Sequence, residues 1–121
     1  MVNNEILQQA ARILYDRKAS DIVALKVEHL TVLCDYLLIA SGRSAVQVTS
    51  LAEALKDFMY EQGILLRRNE GLRDGRWAVL DYGNLIVHIF HQNERIYYGL
   101  DRLWNDGSNE MELPFDQSLQ D

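Results

Sequence analysis

The chain has 121 residues and a mass of 14.0 kDa, which suits one globular domain and leaves no room for two. Eighteen acidic and twelve basic residues give a net charge of −6, which argues against a protein that holds nucleic acid by broad phosphate neutralisation. Its single cysteine excludes an internal disulfide. The sequence shows no secretory signal and no run of about 20 apolar residues that could span a bilayer. These features predict a cytoplasmic protein.

The first half of the chain combines helical and extended patterns. Apolar residues at helical spacing predict a helix within residues 4–18, and residues 21–27 alternate as a strand does. Residues 36–40 form a continuous apolar run that is typical of a buried strand. The longest apolar stripe predicts a second helix, with Ser44 and Gln47 spaced as a capping box and Gly63 as a left-handed C-terminal cap.

The second half predicts three strands and a last helix. Residues 64–68 are extended, and residues 77–82 and 85–90 form a hairpin around Gly83-Asn84. That turn pairs Trp77 with Phe90, Val79 with His88, and Asp81 with Ile86. A final helix over residues 93–104 is expected to point these side chains inward: Ile96, Tyr97, Leu100, Leu103 and Trp104.

The element order predicts an α/β fold with a mixed sheet of about five strands flanked by helices. Residues 1–105 are expected to form the domain. Residues 106–121 hold five acidic residues and no basic one, and they are predicted to be a mobile tail. Without this tail the domain has 13 acidic and 12 basic residues, so recognition of a basic partner must depend on where individual charges lie.

One face of the hairpin has the composition of a core, whereas the other mixes apolar and polar groups: Trp77, Val79, Asp81, Ile86, His88 and Phe90. On this second face a carboxylate could fix the tautomer of His88, since Asp81 is its diagonal neighbour. Two interpretations stay open. The pair is a structural hydrogen bond, or the face binds a partner, with Trp77 and Phe90 as anchors and Asp81 accepting from a Lys or Arg.

Other chemistry has weaker support. The Ser41-Gly42 turn before a helix could cradle a phosphate, which makes a nucleotide-binding or nucleotidyl-transferring enzyme the alternative function. Magnesium-dependent transfer needs two converging carboxylates, and no i, i+2 pair occurs before the tail. His88 and His91 should point to opposite faces, so no metal site is predicted. Four arginines at positions 67, 68, 73 and 76 form either a solvated face or a minor RNA contact.

Several motifs occur together and in order: residues 35–44 (DYLLIASGRS), Glu70-Gly71, residues 75–84 (GRWAVLDYGN), His88 and Leu103-Trp104. They closely resemble those of the ribosomal silencing factor (Iojap-like) family, from about Ile6 to Trp104. The resemblance implies a fold similar to that of nucleotidyltransferases without their catalytic carboxylates. It also implies a role that needs neither enzymatic activity nor a cofactor.

The resemblance further implies binding to the large ribosomal subunit through its fourteenth large-subunit protein. That contact would block joining of the small subunit and lower translation when nutrients are scarce, and some family members form homodimers. Carried over by position, the contact candidates are Glu70, Arg73, Trp77, Asp81, Tyr82 and His88. Tyr82 lies on the opposite strand face from Trp77, but its hydroxyl is expected to reach the solvent or the partner. Asn84 stands where the family commonly has an acidic residue.

Overall fold

The computed structural model describes residues 1–119, apart from the side chains of Ile96, Tyr97 and Leu119. Its helices are α1 (Asn4–Asp16), α2 (Ala45–Glu61), α3 (Gln92–Tyr98) and α4 (Leu100–Trp104). Its strands are β1 (Ser20–Lys26), β2 (Tyr36–Gly42), β3 (Arg68–Glu70), β4 (Trp77–Asp81) and β5 (Leu85–His91). A 3-10 turn covers Gln117–Leu119. None of the described helices combines the length and apolarity that a bilayer crossing requires.

The five strands form the mixed sheet that the sequence predicts, and their order is β1-β2-β5-β4-β3. The β2 and β5 strands are parallel, and the other neighbours are antiparallel. The hairpin register is confirmed, with Trp77 opposite Phe90 and Val79 opposite His88. Gly83 at φ 92° supplies the left-handed backbone that a tight hairpin turn needs. The extended pattern at residues 64–68 becomes a strand only from Arg68 onward.

Helices α1 and α2 cover one face of the sheet and enclose the larger core. Ser44 caps α2, since its Oγ accepts from the Gln47 amide at 3.1 Å. The reciprocal half of the predicted capping box is wrong, because Gln47 Oε1 accepts from the amide of Arg43 at 2.6 Å. Gly63 at φ 73° ends α2 as predicted, and the amide of Ile64 donates back to the Met59 carbonyl at 3.0 Å.

A smaller core lies on the opposite face, under α4 and the β1–β2 connection. It contains Leu25, Val27, Cys34, Leu37, Ile39 and Phe90. The single final helix predicted here is wrong, because Gly99 at φ 62° separates α3 from α4. Leu100 and Trp104 pack on this core, but Leu103 is 70% exposed. The other two side chains predicted to point inward, at positions 96 and 97, lie outside the described part of the chain.

The prediction of a mobile acidic tail is wrong for residues 106–119, which pack on β1 and α1. The Met111 amide donates to the Ala24 carbonyl at 2.8 Å. The Gln117 side chain pairs with both the amide and the carbonyl of Ile22, at 2.7 and 2.9 Å. These contacts satisfy outward-pointing backbone groups of an edge strand, which would otherwise be open to pairing with another chain. Residue 105 therefore does not separate a domain from a loose tail.

Candidate partner-binding site

The second face of the β4–β5 hairpin carries five half-buried side chains: Trp77, Val79, Asp81, Ile86 and His88. We call this set the hairpin face. Phe90 extends it in the sheet but is fully buried, so the prediction that Phe90 is an anchor for a partner is wrong. Trp77 stacks on Phe90, with ring centroids 5.0 Å apart, and packs at a tilt against Tyr98, with centroids 4.3 Å apart. Trp77 therefore belongs to a cluster of three aromatic rings, of which Phe90 is buried and Tyr98 is exposed.

Trp77 also fixes His88. The indole Nε1 donates to His88 Nδ1 at 3.0 Å, which requires that nitrogen to be unprotonated and places the ring proton on Nε2. Burial lowers the pKa of His88 to about 4, so the imidazole is neutral near neutral pH. Of the two interpretations left open for Asp81 and His88, the structural hydrogen bond is wrong, although the two residues are diagonal neighbours in the register.

Asp81 serves the hairpin turn instead. Its Oδ1 accepts from the amide of Gly83 at 2.9 Å, and its Oδ2 lies 3.5 Å from Nε of Arg68. The Arg68 side chain is 75% exposed, and an ion pair so open to water adds little stability. A cation from a partner could therefore replace Arg68 at small cost.

Glu70 and Arg73 are both exposed. Arg73 lies in a loop whose Leu72 and Gly75 contact α2, at Thr49 and Ala45. Glu70 pairs with Val79 in the β3–β4 register, which puts its side chain on the same face of the sheet. Gly71 lets the next loop pass close to Trp77: at its φ of 76°, a Cβ would lie 1.9 Å from the Trp77 carbonyl oxygen. The Glu70-Gly71 motif thus brings a carboxylate onto the hairpin face and the following loop against the backbone of Trp77.

Tyr82 is not part of this surface. It lies on the opposite face of β4, as predicted, but the residue is only 5% exposed and packs in the larger core. Burial raises the pKa of its hydroxyl to about 12. The side chain borders a cleft of about 310 Å³ beside α2, together with Asp57 and Tyr60. Four of the six candidate residues therefore lie on one face, namely Glu70, Trp77, Asp81 and His88. Arg73 is in the loop against α2, and Tyr82 lies on the other side of the sheet.

An apolar cleft of about 280 Å³ adjoins the hairpin face, and the sequence reasoning missed it. Its floor includes Trp77, Ile86 and His88. Leu100 and Trp104 form one wall, and the β1–β2 connection forms the other: Val27, Thr31, Leu33 and Cys34, with Leu37 of β2. The signal in the sequence is the apolar run Val32-Leu33-Cys34 in the β1–β2 connection, where Leu33 is 74% exposed.

The sequence matches the family model described as "Ribosomal silencing factor during starvation" over residues 2–121. The chain belongs to the ribosomal silencing factor family. It is 42% identical over 106 residues to the ribosomal silencing factor RsfS of Halalkalibacterium halodurans, covering 88% of this chain and 91% of the relative. The RsfS of Bacillus subtilis is also 42% identical over 106 residues, covering 88% and 90%.

The fold is shared as well. A crystal structure of a protein from Chromobacterium violaceum superposes with a TM-score of 0.83 and 30% identity, covering 98% of each chain. The family and the α/β fold predicted from the motifs are confirmed. The family match also reaches residue 121, beyond the limit at Trp104 that the motifs suggest.

In this member of the silencing factor family the Ser41 hydroxyl and two amides beyond the Ser41-Gly42 turn already have partners within the protein. Ser41 is 1% exposed, and its Oγ accepts from Arg95 Nη1 at 2.9 Å. Gln47 Oε1 accepts from the amide of Arg43, and Ser44 Oγ accepts from the amide of Gln47. A polar cavity of about 670 Å³ lies beside this turn, with a lining that shares no residue with the hairpin face. Within the described residues, no three potential metal ligands converge.

Asn84, where the resemblance implies an acidic residue, binds the backbone of Val2. Its Nδ2 donates to the Val2 carbonyl at 2.6 Å, and its Oδ1 accepts from the Val2 amide at 3.1 Å. A carboxylate could accept the second bond but could not donate the first. The amide thus joins Val2, which is only 3% exposed, to the hairpin turn.

Proposed function

We propose that this chain binds the large ribosomal subunit through its fourteenth large-subunit protein and so prevents the small subunit from joining. Translation would then fall under nutrient limitation. Family membership supports a silencing role. The structural observation that carries the proposal is the half-buried indole of Trp77, held by His88 beside an open apolar cleft.

The arrangement suits protein recognition. Trp77 is fixed by its hydrogen bond, by stacking on Phe90 and by a tilted contact with Tyr98, so little side-chain entropy would be lost on binding. Tryptophan is enriched among residues that dominate interface energies. The carboxylates of Glu70 and Asp81 complement a basic partner surface, which favours specificity and rapid association.

The role we propose is steric and uses no bond-making chemistry. A domain that occupies the subunit-joining face excludes the small subunit by volume alone, so no catalytic group, metal or cofactor is required. The exposed Arg73 could add a minor contact to ribosomal RNA at the edge of the interface. We place this activity in the cytoplasm, where the ribosomal subunits join.

A homodimer that uses the hairpin face would store an inactive form. Such a dimer and the ribosome complex would compete for the same residues, so added large subunits should dissociate the dimer. Sedimentation velocity of labelled protein, with and without subunits, measures this competition directly. A dimer that persists on the subunit would exclude a shared interface.

Co-sedimentation with purified large subunits tests the main proposal. The wild-type protein should migrate with the subunits and reduce subunit joining, and Trp77→Ala should weaken both effects while the circular dichroism spectrum stays native. Tyr60→Ala is the matched control, because Tyr60 is an 85% exposed aromatic residue on α2, away from the hairpin face. Failure of the wild-type protein to co-migrate, or equal loss in both variants, would contradict the proposal.

A further inference from the structure

A turn at residues 105–109, directly after α4, contacts both walls of the apolar cleft; we call it the C-terminal clasp. Asn109 ends this turn, is only 7% exposed and makes most of its contacts. Its Nδ2 donates to the Trp104 carbonyl at 2.9 Å and to the Lys26 carbonyl at 3.0 Å, so both amide hydrogens are used. Its Oδ1 accepts from the Asp106 amide at 2.9 Å. One buried amide thus joins the end of α4, the end of β1 and the clasp itself.

The clasp also holds the opposite wall. Asp106 Oδ2 lies 2.7 Å from Nε2 of His29, which belongs to the β1–β2 connection. This hydrogen bond lowers the pKa of Asp106 to about 2. The same connection supplies Thr31 and Leu33 to the cleft. The wall on the Trp104 side and the wall on the Leu33 side are therefore tied to one short turn, which follows the first in sequence and is far from the second.

We propose that the C-terminal clasp sets the separation of the two cleft walls, and that Asn109 is a positioning residue for partner binding. The occupant we infer is an apolar side chain of the basic partner protein. Trp77, Ile86 and His88 belong to both the cleft and the hairpin face, so the two form one continuous surface. The acidic groups of Glu70 and Asp81 border that surface and complement a basic partner. The partner-binding part of this inference rests on the proposed function, whereas the wall-positioning part does not.

Gln117 provides the comparison that separates positioning from simple anchoring. Like Asn109, it is an amide of the C-terminal segment that pairs with the backbone of β1, through the amide and carbonyl of Ile22. Gln117 borders the polar cavity near Ser41, however, and not the apolar cleft. If Asn109 and Gln117 both only cover the edge of the sheet, replacing either residue should have a similar effect on the cleft. A positioning role predicts that only Asn109 affects the cleft.

The cleft has a built-in spectroscopic probe, because both tryptophans of the chain, Trp77 and Trp104, line it. Acrylamide quenching of tryptophan fluorescence therefore reports on the cleft and on the part of the hairpin face that it shares. We expect the quenching constant to rise roughly twofold in Asn109→Ala, because local opening exposes groups that the folded state protects. It should stay at the wild-type value in Gln117→Ala. Equal quenching in the two variants would overturn the positioning role.

His29→Ala is a second variant, for the case in which Asn109→Ala does not fold. His29 is exposed, and its replacement frees only the wall that the β1–β2 connection forms. It should raise quenching in the same direction. If His29→Ala and a folded Asn109→Ala both quench as the wild type does, the clasp does not set the walls.

Binding to large subunits, measured by co-sedimentation, tests the second half of the inference. Asn109→Ala should bind about tenfold more weakly than Gln117→Ala, a difference well resolved by titration. If Asn109→Ala changes quenching but binds subunits as tightly as Gln117→Ala, the clasp has no role in recognition. If the wild-type protein itself does not bind, the proposed function fails, while the quenching result still decides whether Asn109 positions the cleft.

Discussion

The indole N–H of Trp77 donates to Nδ1 of His88 across the β4–β5 hairpin at 3.0 Å, although the two residues are not directly opposite in the register. This bond accounts for both side chains at once. It satisfies the indole donor of a half-buried tryptophan, and it selects the histidine tautomer with the proton on Nε2. The bond exists only while His88 is neutral, so it links the hairpin face to pH.

Stability should therefore fall in mild acid. The unfolded chain takes up a proton at His88 with an ordinary pKa near 6.5, whereas the folded chain does so only at about 4. The unfolded state thus binds more protons between these values, and the His88 contribution, fully present above pH 6.5, is lost as pH falls toward 4. The loss should amount to about 3 kcal/mol. Urea unfolding at several pH values, compared between wild type and His88→Gln, measures it; equal pH slopes would contradict the assignment.

The hairpin face shows what a sequence can and cannot reveal. Alternation along β4 and β5, with the Gly83-Asn84 turn, is enough to place Trp77 and His88 on one face in the correct register. The hydrogen-bond partner is a different matter, since Asp81 and Trp77 are both within reach of His88 in a pleated hairpin. In the structure His88 accepts from the indole N–H of Trp77, and the carboxylate of Asp81 accepts from the Gly83 amide instead.

Features that depend on residues far apart in the chain could not be predicted from the sequence pattern for a related reason. The acidic composition of residues 106–121 is typical of disorder, yet Gln117 and Met111 find open backbone groups on β1. The edge position of β1 in the sheet creates that site, and strand order is not encoded locally. Gly99 likewise lies within an apolar helical pattern, and only its left-handed backbone reveals the break between α3 and α4. The apolar cleft depends both on the packing of the C-terminal segment and on the break between α3 and α4.

Asp81 offers a test of electrostatic recognition at the hairpin face. Asp81→Asn keeps an oxygen to accept from the Gly83 amide but removes the charge, so the fold should persist while partner binding weakens by about tenfold or more. Arg68→Ala frees the carboxylate and should leave binding unchanged or stronger. Co-sedimentation at about 50 and 200 mM salt measures both variants, and Asp81→Asn should also reduce the salt dependence. Equal weakening by the two changes would indicate that the ion pair itself, and not the free carboxylate, is what the partner needs.

Gly71 and Gly63 form a matched pair for the backbone next to Trp77. Both have positive φ, at 76° and 73°, but a Cβ on Gly63 meets open space and one on Gly71 meets the Trp77 carbonyl. Gly63→Ala should cost about 1 kcal/mol of unfolding free energy, from backbone strain alone. Gly71→Ala should cost more, about 2 to 4 kcal/mol, because the loop must also move. Denaturant unfolding of the two variants decides this, and similar costs would mean that the loop yields without disturbing Trp77.

Truncation after Asn105 should expose the β1 edge and destabilise the domain. The deleted segment supplies the bonds from Met111 and Gln117 to β1, and Phe115 stacks on Tyr15 at 4.2 Å. The melting temperature should drop by at least 8 °C, since about 2 kcal/mol corresponds to that shift in a domain of this size. An unprotected edge strand should also promote self-association, which Lys26→Pro in the truncated chain should suppress by removing an outward-facing amide. Sedimentation velocity of both proteins checks this; a truncated chain that stays monomeric and as stable as the full one would show that the segment does not protect β1.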